Sequence, residues 1–293
     1  MLKGSIVALV TPFHSDGSVN YEKLKELLEF HIASHTDGVV LLGTTAEATT
    51  LSMTEQMEIV KFGIRIVNHR IPVVVGAGSN DTASAITKAK TFSSLGADYL
   101  LTITPYYNKT NEKGLIEHFK AIAAASSCPI LLYNVPSRTG MSISLSALSA
   151  LSKVPNICGI KEASGNMSYA VGVSKFLRDD FIMLSGNDDI IVPMMSMGGT
   201  GVISVLANIC PQQTHQICEF CLKEDFKSAR LLQKNLLPVA ESLFFETNPI
   251  PVKAAMNYLG YGVGNYRLPL YDMDETLYQK MIGIIEENKE LIF

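Results

Sequence analysis

The chain has 293 residues, of which 47% are hydrophobic and 18% are charged, and its formal net charge is −4. This composition excludes a disordered or fibrous protein, because a chain of this length and apolar content can bury a full core. The slight acidic excess and the scattered basic residues also argue against nucleic acid as a partner, since binding a phosphate backbone needs a broad basic surface.

Short apolar segments rich in β-branched residues recur along the first two thirds of the chain, and each precedes a stretch with helical periodicity. Their near-continuous apolar character is typical of parallel strands that are covered on both faces. The eight predicted strands are Ser5 to Val10, Gly38 to Leu42, Pro72 to Val75, Asp98 to Ile103, Pro129 to Tyr133, Ile157 to Lys161, Phe181 to Leu184 and Gly201 to Ser204.

Residues typical of helix N-termini precede several of the predicted helices. Asn20 and Asp81 are candidate N-caps, and Ser52 with Glu55 fits a capping box. The eight β/α units predict a TIM (β/α)8 barrel as the catalytic domain over residues 1–224, with its eighth helix at Pro211 to Lys223. After it the strand signal stops, and a small helical C-terminal domain is predicted over 225–293, with helices at Asp225 to Thr247, Pro251 to Leu259 and Glu275 to Leu291.

The cysteine count and the lengths of the apolar stretches both bear on where the protein is located. Five cysteines are a poor disulfide framework for a chain of this size, so we expect free thiols. Cys218 and Cys221 form a C-x-x-C pair, but no second pair completes four ligands, and we expect no metal ion. No apolar stretch approaches the ~20 residues that span a bilayer. We therefore expect a cytoplasmic protein without membrane contact.

The chemistry of a TIM barrel lies at the C-terminal ends of its strands, so the polar residues there are the informative ones. Lys161 ends an otherwise apolar strand, and burial favours the neutral amine that attacks a ketone to form a Schiff base. A strand that merely reaches solvent would show the same residue, and position alone leaves both interpretations open. Tyr133, at the end of the neighbouring strand, favours the first, because a phenol beside an amine can shuttle protons.

Other strand ends carry groups suited to anions. Arg138 offers a forked guanidinium for a carboxylate, although an exposed loop arginine would look the same. Thr44 and Thr45 follow a glycine on a tight turn, where hydroxyl and N–H groups can hold a second carboxylate or simply cap a helix. The glycines at 198–201 precede a strand instead of opening a helix, so we interpret them as a turn and not a phosphate cradle.

Several motifs make the chain similar to the dihydrodipicolinate synthase family, within the class I pyruvate aldolases that include N-acetylneuraminate lyase. The resemblance spans nearly the whole sequence. The segments that carry it are Val10-Thr11-Pro12-Phe13, Gly43-Thr44-Thr45, Tyr133-Asn134-Val135-Pro136 with Arg138-Thr139-Gly140, Asn248-Pro249-Ile250-Pro251-Val252-Lys253 and Arg267-Leu268-Pro269-Leu270.

The resemblance implies the first committed step of diaminopimelate and lysine biosynthesis. Lys161 would form a Schiff base with pyruvate, and the resulting enamine would attack L-aspartate 4-semialdehyde. Tyr133 would act as acid and base, linked to solvent through Thr44 and through Tyr107 of a neighbouring subunit. No metal or organic cofactor is needed, because the lysine is the electron sink. The family also implies a homotetramer built as a dimer of dimers.

The resemblance assigns the substrate contacts as well. Thr45 and the backbone at Ile203 would hold the pyruvate carboxylate, Arg138 would hold the carboxylate of the aldehyde, and Gly186 would be a further substrate-binding position. A possible allosteric cleft for lysine maps to Ala48, Thr49, Met53, Gln56, Asn80, Ser84 and Tyr106. Lysine-sensitive relatives place a histidine near Met53 and a glutamate at Ser84, so we expect weak or absent inhibition here.

Two alternatives stay open at this stage. A sibling pyruvate aldolase that acts on a sugar acid would also use Lys161 and Tyr133, and Arg138 is the residue that argues against it. A weakly active or non-catalytic relative is suggested only by Ala46, which stands where the family has a glycine. If that position needs a positive φ, alanine would cost about 1 kcal/mol or more of strain. We expect a tolerated substitution.

Overall fold

The computed structural model describes residues 1–292. Eight parallel strands form a closed barrel in which each strand pairs with the next and β8 pairs with β1. The predicted TIM barrel is therefore confirmed, with strand ends within one or two residues of the predicted ones. The strands are β1 Gly4–Ala8, β2 Gly38–Leu41, β3 Val73–Gly76, β4 Tyr99–Ile103, β5 Ile130–Asn134, β6 Ile157–Glu162, β7 Ile182–Ser185 and β8 Gly201–Ser204.

Helices surround the barrel and fill the C-terminal region. They are α1 Tyr21–Ala33, α2 Met53–Val67, α3 Thr82–Ser94, α4 Glu112–Ala125, α5 Pro136–Thr139, α6 Leu145–Leu151, α7 Met167–Ser174, α8 Ile191–Ser196, α9 Pro211–Leu222, α10 Phe226–Ser242, α11 Ile250–Tyr258, α12 Glu275–Glu287 and α13 Lys289–Ile292. Short 3-10 turns occupy Ala48–Thr50 and Leu206–Asn208.

The helix starts follow the predicted caps. The side chains of Asn20 and Asp81 accept hydrogen bonds from the third backbone N–H of α1 and α3. Ser52 and Glu55 form the reciprocal capping box of α2. These contacts satisfy backbone donors that a helix leaves unpaired at its start, which is why short polar side chains mark these positions.

Strand alternation divides the apolar core into two layers. One layer fills the barrel interior, and it includes Tyr133 and Ile203, two of the predicted site residues. The larger layer lies between the strands and the surrounding helices. Side chains at the ends of the strands thus point toward the barrel mouth from a packed and rigid base, which suits precise placement of reacting groups.

The C-terminal helices pack on the last helices of the barrel, with α10 against α8 and α9. The helix predicted to reach Thr247 ends at Ser242 instead, and turns after it carry Asn248 to the barrel mouth. A domain division at residue 224 stays a prediction, and residue 293 of that predicted domain lies outside the described residues. Across residues 1–292, no helix combines the length and apolar character needed to cross a membrane.

The remaining sequence features have simple structural roles. All five cysteines are free, and Cys218 and Cys221 are buried on α9. Within the described part of the chain, no group of three or more His, Cys, Asp or Glu side chains is placed to hold a metal ion. The glycine segment before β8 is a turn, with Gly198 at φ +92°.

Candidate active site

Lys161 and Tyr133 lie side by side at the ends of β6 and β5. They are directly paired across the two strands, and the Lys161 ammonium nitrogen lies 4.3 Å from the centre of the Tyr133 ring. Lys161 is 7% exposed and Tyr133 is 8% exposed. No hydrogen bond or ion pair from residues 1–292 reaches the Lys161 Nζ atom. This nitrogen is thus buried against an aromatic face without a polar partner among the described residues.

The end of β7 brings two further groups toward Lys161. A side chain at Gly186 would place its Cβ only 3.0 Å from Lys161 Cε, so the absence of a side chain makes room for the lysine. Asp188 is buried, and its Oδ2 atom accepts hydrogen bonds from the backbone N–H groups of Val205 and Leu206. Burial raises the pKa of the Asp188 carboxyl, while these hydrogen bonds and the charge of Lys161 oppose the rise.

A cavity of about 390 Å³ opens at the barrel mouth beside Tyr133. Thr44 and Arg138 line it together with Tyr133, so three predicted site residues share one space. Four predicted cleft residues also line it, whereas Met53, Asn80 and Ser84 do not. Its lining residues are Leu42, Gly43, Thr44, Ala48, Thr49, Gln56, Gly76, Gly78, Lys88, Leu101, Ile103, Tyr106, Tyr133, Arg138 and Thr139.

Asn248 links the two residues predicted to hold carboxylates. Its Nδ2 donates to Thr45 Oγ1 at 2.9 Å, and its carbonyl oxygen accepts from Arg138 Nη2 at 3.1 Å. Thr45 is buried, but Arg138 is largely exposed in the single chain. The turn after β2 and the short helix α5 are therefore held in fixed relation by a residue from the C-terminal region.

The backbone of the turn after β2 does not require a positive φ at Ala46. The left-handed conformation falls on Glu47, at φ +54°, and not on Ala46. The Ala46 methyl group is buried, and the Ala46 carbonyl accepts a hydrogen bond from Thr11 Oγ1 at 2.7 Å. Since the alanine needs no positive φ, the strain argument for a weakly active protein has no structural basis.

A buried ion pair between Lys253 and Glu47 connects this turn to the C-terminal region. Lys253 on α11 donates to Glu47 Oε1 at 2.8 Å, and both side chains are 0% exposed. Lys253 also donates to the Thr11 and Asn265 carbonyls and lies over the Phe13 ring. Burial lowers the pKa of Lys253, and the Glu47 carboxylate opposes that shift. Every donor of this ammonium is satisfied.

Tyr107 lies apart from the other predicted catalytic residues. Its side chain is 93% exposed, its backbone is left-handed at φ +68°, and it does not line the cavity. A role for Tyr107 in a neighbouring subunit's site stays a prediction.

The predicted allosteric residues divide into two sets. Ala48, Thr49, Gln56 and Tyr106 face the cavity, whereas Ser84 Oγ donates to the Asp81 carboxylate at the start of α3. The Asn80 carbonyl accepts a hydrogen bond from Asn108, and Met53 begins α2.

Sequence reasoning from strand ends missed several residues that shape the site. Asn248 and Lys253 come from the C-terminal region, and only the motif at 248–253 signalled them. Glu162 directly follows Lys161 and is buried, accepting hydrogen bonds from Asn134 Nδ2 and Ser164 N, and burial raises its pKa. Lys88 lies in the middle of α3 and carried no signal at all.

Comparison with known proteins agrees with the resemblance. The profile of the dihydrodipicolinate synthetase family matches residues 1–288. A 4-hydroxy-tetrahydrodipicolinate synthase of Clostridium perfringens is 50% identical over 288 residues, covering 98% of this chain and 97% of the relative. Synthase 1 of Clostridium acetobutylicum is 52% identical over 275 residues, covering 94% of each chain.

The solved structures give the same result. The chloride-inhibited dihydrodipicolinate synthase of Acinetobacter baumannii, crystallised with pyruvate, superposes with a TM-score of 0.97 at 39% identity and covers 100% of both chains. The family profile and the identity to the relatives confirm the resemblance found in the motifs. The chain belongs to the dihydrodipicolinate synthetase family.

Proposed function

We propose that the chain catalyses the reaction for which its relatives are named, the condensation of pyruvate with L-aspartate 4-semialdehyde to 4-hydroxy-tetrahydrodipicolinate. The observation that carries this proposal is the buried and unpaired Lys161 amine beside the Tyr133 ring. A lysine is rarely buried without a partner unless its amine is used. The family match and the relatives at about half identity support the same reaction.

The chemistry follows from an amine at the mouth of the barrel. Attack of Lys161 on the ketone carbon of pyruvate gives a carbinolamine, and loss of water gives a protonated imine. Loss of a methyl proton yields an enamine, whose carbon attacks the aldehyde carbon of the second substrate. The amino group of that substrate then attacks the imine carbon, which closes the ring and releases Lys161. Tyr133, whose ring centre lies 4.3 Å from the lysine nitrogen, is proposed to move these protons.

The two substrate carboxylates are assigned to groups at the C-terminal ends of the strands. Thr45 and the backbone at Ile203 are proposed to hold the pyruvate carboxylate, since both lie on strands or turns that face the barrel mouth. Arg138 is proposed to hold the carboxylate of the semialdehyde, because it lines the cavity and a forked guanidinium suits a carboxylate. Gly186 leaves space for the adduct beside Lys161.

The exposed Tyr107 supports an assembled enzyme. We propose that Tyr107 enters the site of a neighbouring subunit and completes a proton relay from Tyr133 through Thr44 to solvent. This arrangement requires at least a dimer, and the family resemblance favours a homotetramer. A cytoplasmic location is proposed on the same resemblance.

The direct test is an assay with pyruvate and aspartate semialdehyde that follows formation of the cyclic product. We expect turnover by the purified chain and none by Lys161→Ala, with the variant's fold checked by circular dichroism. Turnover with an uncharged aldehyde or a sugar aldehyde, and none with the semialdehyde, would instead support the sugar-acid alternative. Absence of turnover with every aldehyde would support the non-catalytic one.

A further inference from the structure

A second pair of polar residues, Asn134 and Glu162, lies next to Tyr133 and Lys161 on β5 and β6. Asn134 and Glu162 pair directly across the two strands, one position beyond the first pair. Successive side chains of a strand point to opposite faces, so these two face away from the barrel interior. Asn134 is 1% exposed and Glu162 is 2% exposed, and neither lines the cavity. They are therefore not placed to contact a substrate.

The two side chains form a hydrogen bond whose direction is fixed by their other partners. Asn134 Nδ2 donates to Glu162 Oε2 at 2.7 Å. Asn134 Oδ1 accepts from Ile143 N at 3.0 Å, and Glu162 Oε1 accepts from Ser164 N at 2.6 Å. Because these backbone donors each occupy one oxygen, the amide can only donate and the carboxylate can only accept across the strands.

The backbone of the same two residues connects the ends of three strands. Ala163 N donates to the Asn134 carbonyl at 2.9 Å, and Gly186 N donates to the Glu162 carbonyl at 2.7 Å. Gly186 borders Lys161, since a Cβ added there would lie 3.0 Å from Lys161 Cε. The ends of β5, β6 and β7 are thus held together beside the lysine.

Stability alone does not account for a carboxylate at Glu162. Burial raises the pKa of this group, while the hydrogen bonds from Asn134 and Ser164 oppose the rise. In the part of the chain that the structure describes, no basic side chain lies within ion-pair distance of it. Burying a carboxylate without a cation costs free energy that an apolar pair would not. Groups with shifted pKa values also cluster at functional sites.

Proton transfer between Tyr133 and Lys161 depends on the spacing of the two strand ends that this polar pair connects. A misplacement of about 1 Å can slow a reaction about a hundredfold. We propose that Asn134 and Glu162 are positioning residues, whose hydrogen bond sets the distance between the Tyr133 phenol and the Lys161 nitrogen. This role rests on the proposed function, because it requires that both of those side chains take part in the reaction.

The test exchanges the two functional groups and measures how fast excess borohydride traps pyruvate on Lys161. In Glu162→Gln, Ser164 N retains the side-chain oxygen, so the new amide N–H group meets the Asn134 amide and two donors face each other. Asn134→Asp brings two carboxylates together. In the double variant, the glutamine donates to the aspartate, and both backbone donors keep an acceptor.

We expect each single variant to trap pyruvate at least about tenfold more slowly at saturating pyruvate, with a nearly unchanged half-saturating concentration. The double variant should recover most of the rate. Glu112→Gln is the matched control, because Glu112 is an exposed carboxylate that accepts hydrogen bonds from Ser144 and Ser146. Its trapping rate should change less than about twofold.

A purely structural role for the pair would give a different result. The fraction of chains that become labelled would fall, and the rate constant of those chains would stay normal. That result would overturn the positioning role, as would single variants that trap pyruvate as fast as the parent. A double variant that stays slow, with its fold intact by circular dichroism, would overturn it too. A parent chain that traps no pyruvate would instead contradict the proposed function, and the positioning role with it.

Discussion

Two lysines among the described residues are buried, and their surroundings are opposite. Lys253 is fully buried, pairs with Glu47, donates to two carbonyls and lies over an aromatic ring. Lys161 is nearly as buried and lies over the Tyr133 ring, but among residues 1–292 its Nζ atom has no hydrogen bond and no carboxylate within ion-pair distance. The difference teaches that burial alone does not identify a reactive lysine. A satisfied ammonium stabilises the fold, and an unsatisfied amine is available for chemistry.

Borohydride trapping tests this comparison most directly. With pyruvate present, we expect reduction to fix one adduct per chain on Lys161 and none on Lys253, as read by peptide mass spectrometry. Lys161→Ala should remove both the adduct and the turnover, a complete loss. An adduct on Lys253, or on the loop lysines Lys153 and Lys175, would contradict the assignment.

Substitution of Lys253 should lower the free energy of unfolding. Lys253→Met leaves the Glu47 carboxylate buried without its partner, and we expect a loss of about 3–5 kcal/mol in the free energy of unfolding. Urea denaturation at neutral pH measures it. Lys223→Met is the matched control, because Lys223 pairs with Glu219 on the exposed face of α9, and we expect at most about 0.5 kcal/mol. The comparison fails if both variants lose the same stability.

Arg138 separates substrate binding from Schiff-base formation. Because this side chain is largely exposed in the single chain, we place the effect of Arg138→Ala at about 2 kcal/mol, near 30-fold in kcat/KM for the semialdehyde. Trapping of pyruvate on Lys161 should stay close to normal. Arg230→Ala, an exposed arginine on α10, serves as the control. Unchanged semialdehyde kinetics would move the carboxylate contact to another residue.

His31 extends the comparison to a basic group buried without an anion. Burial lowers the pKa of His31 to about 3 from 6.5, so the unfolded chain binds a proton in this range and the folded chain does not. The free energy of unfolding therefore decreases as pH falls from about 6.5 toward 3, and the contribution of His31 to this decrease is about 1.4 kcal/mol per pH unit. We expect His31→Leu to flatten the pH dependence of urea unfolding between pH 6 and 4. Parallel curves for the two proteins would refute this role.

Lysine sensitivity should be the smallest effect. The predicted cleft has Met53 and Ser84 where a cationic ligand needs polar or anionic partners, and Ser84 is engaged with Asp81. Lys88 adds a positive charge to the same cavity. We expect little inhibition by lysine at physiological concentrations, since loss of a contact of about 2 kcal/mol weakens binding more than tenfold. Strong inhibition at submillimolar lysine, in the assay with pyruvate and aspartate semialdehyde, would contradict this mapping.

Much of this protein could be predicted from local sequence alone. Eight apolar segments of strand length alternate with helical periodicity, and this pattern has few stable solutions other than a closed parallel barrel. Asn20, Ser52 and Asp81 marked their helices because capping depends only on neighbours a few residues away. Lys161 stood out for a similar reason, since one cationic residue ends a strand that is otherwise apolar.

Tertiary structure alone decided which buried polar groups are satisfied. Lys161 and Lys253 are both lysines in largely apolar segments. Only long-range contacts show that Glu47 forms an ion pair with Lys253, whereas no carboxylate in the described part of the chain forms one with Lys161. The conformation at Ala46 and the exposure of Tyr107 likewise depend on how distant segments pack. Sequence patterns indicate which face of each strand and helix is buried. Partners such as Glu47 and Lys253, which are 206 positions apart, meet only when the C-terminal region packs against the barrel.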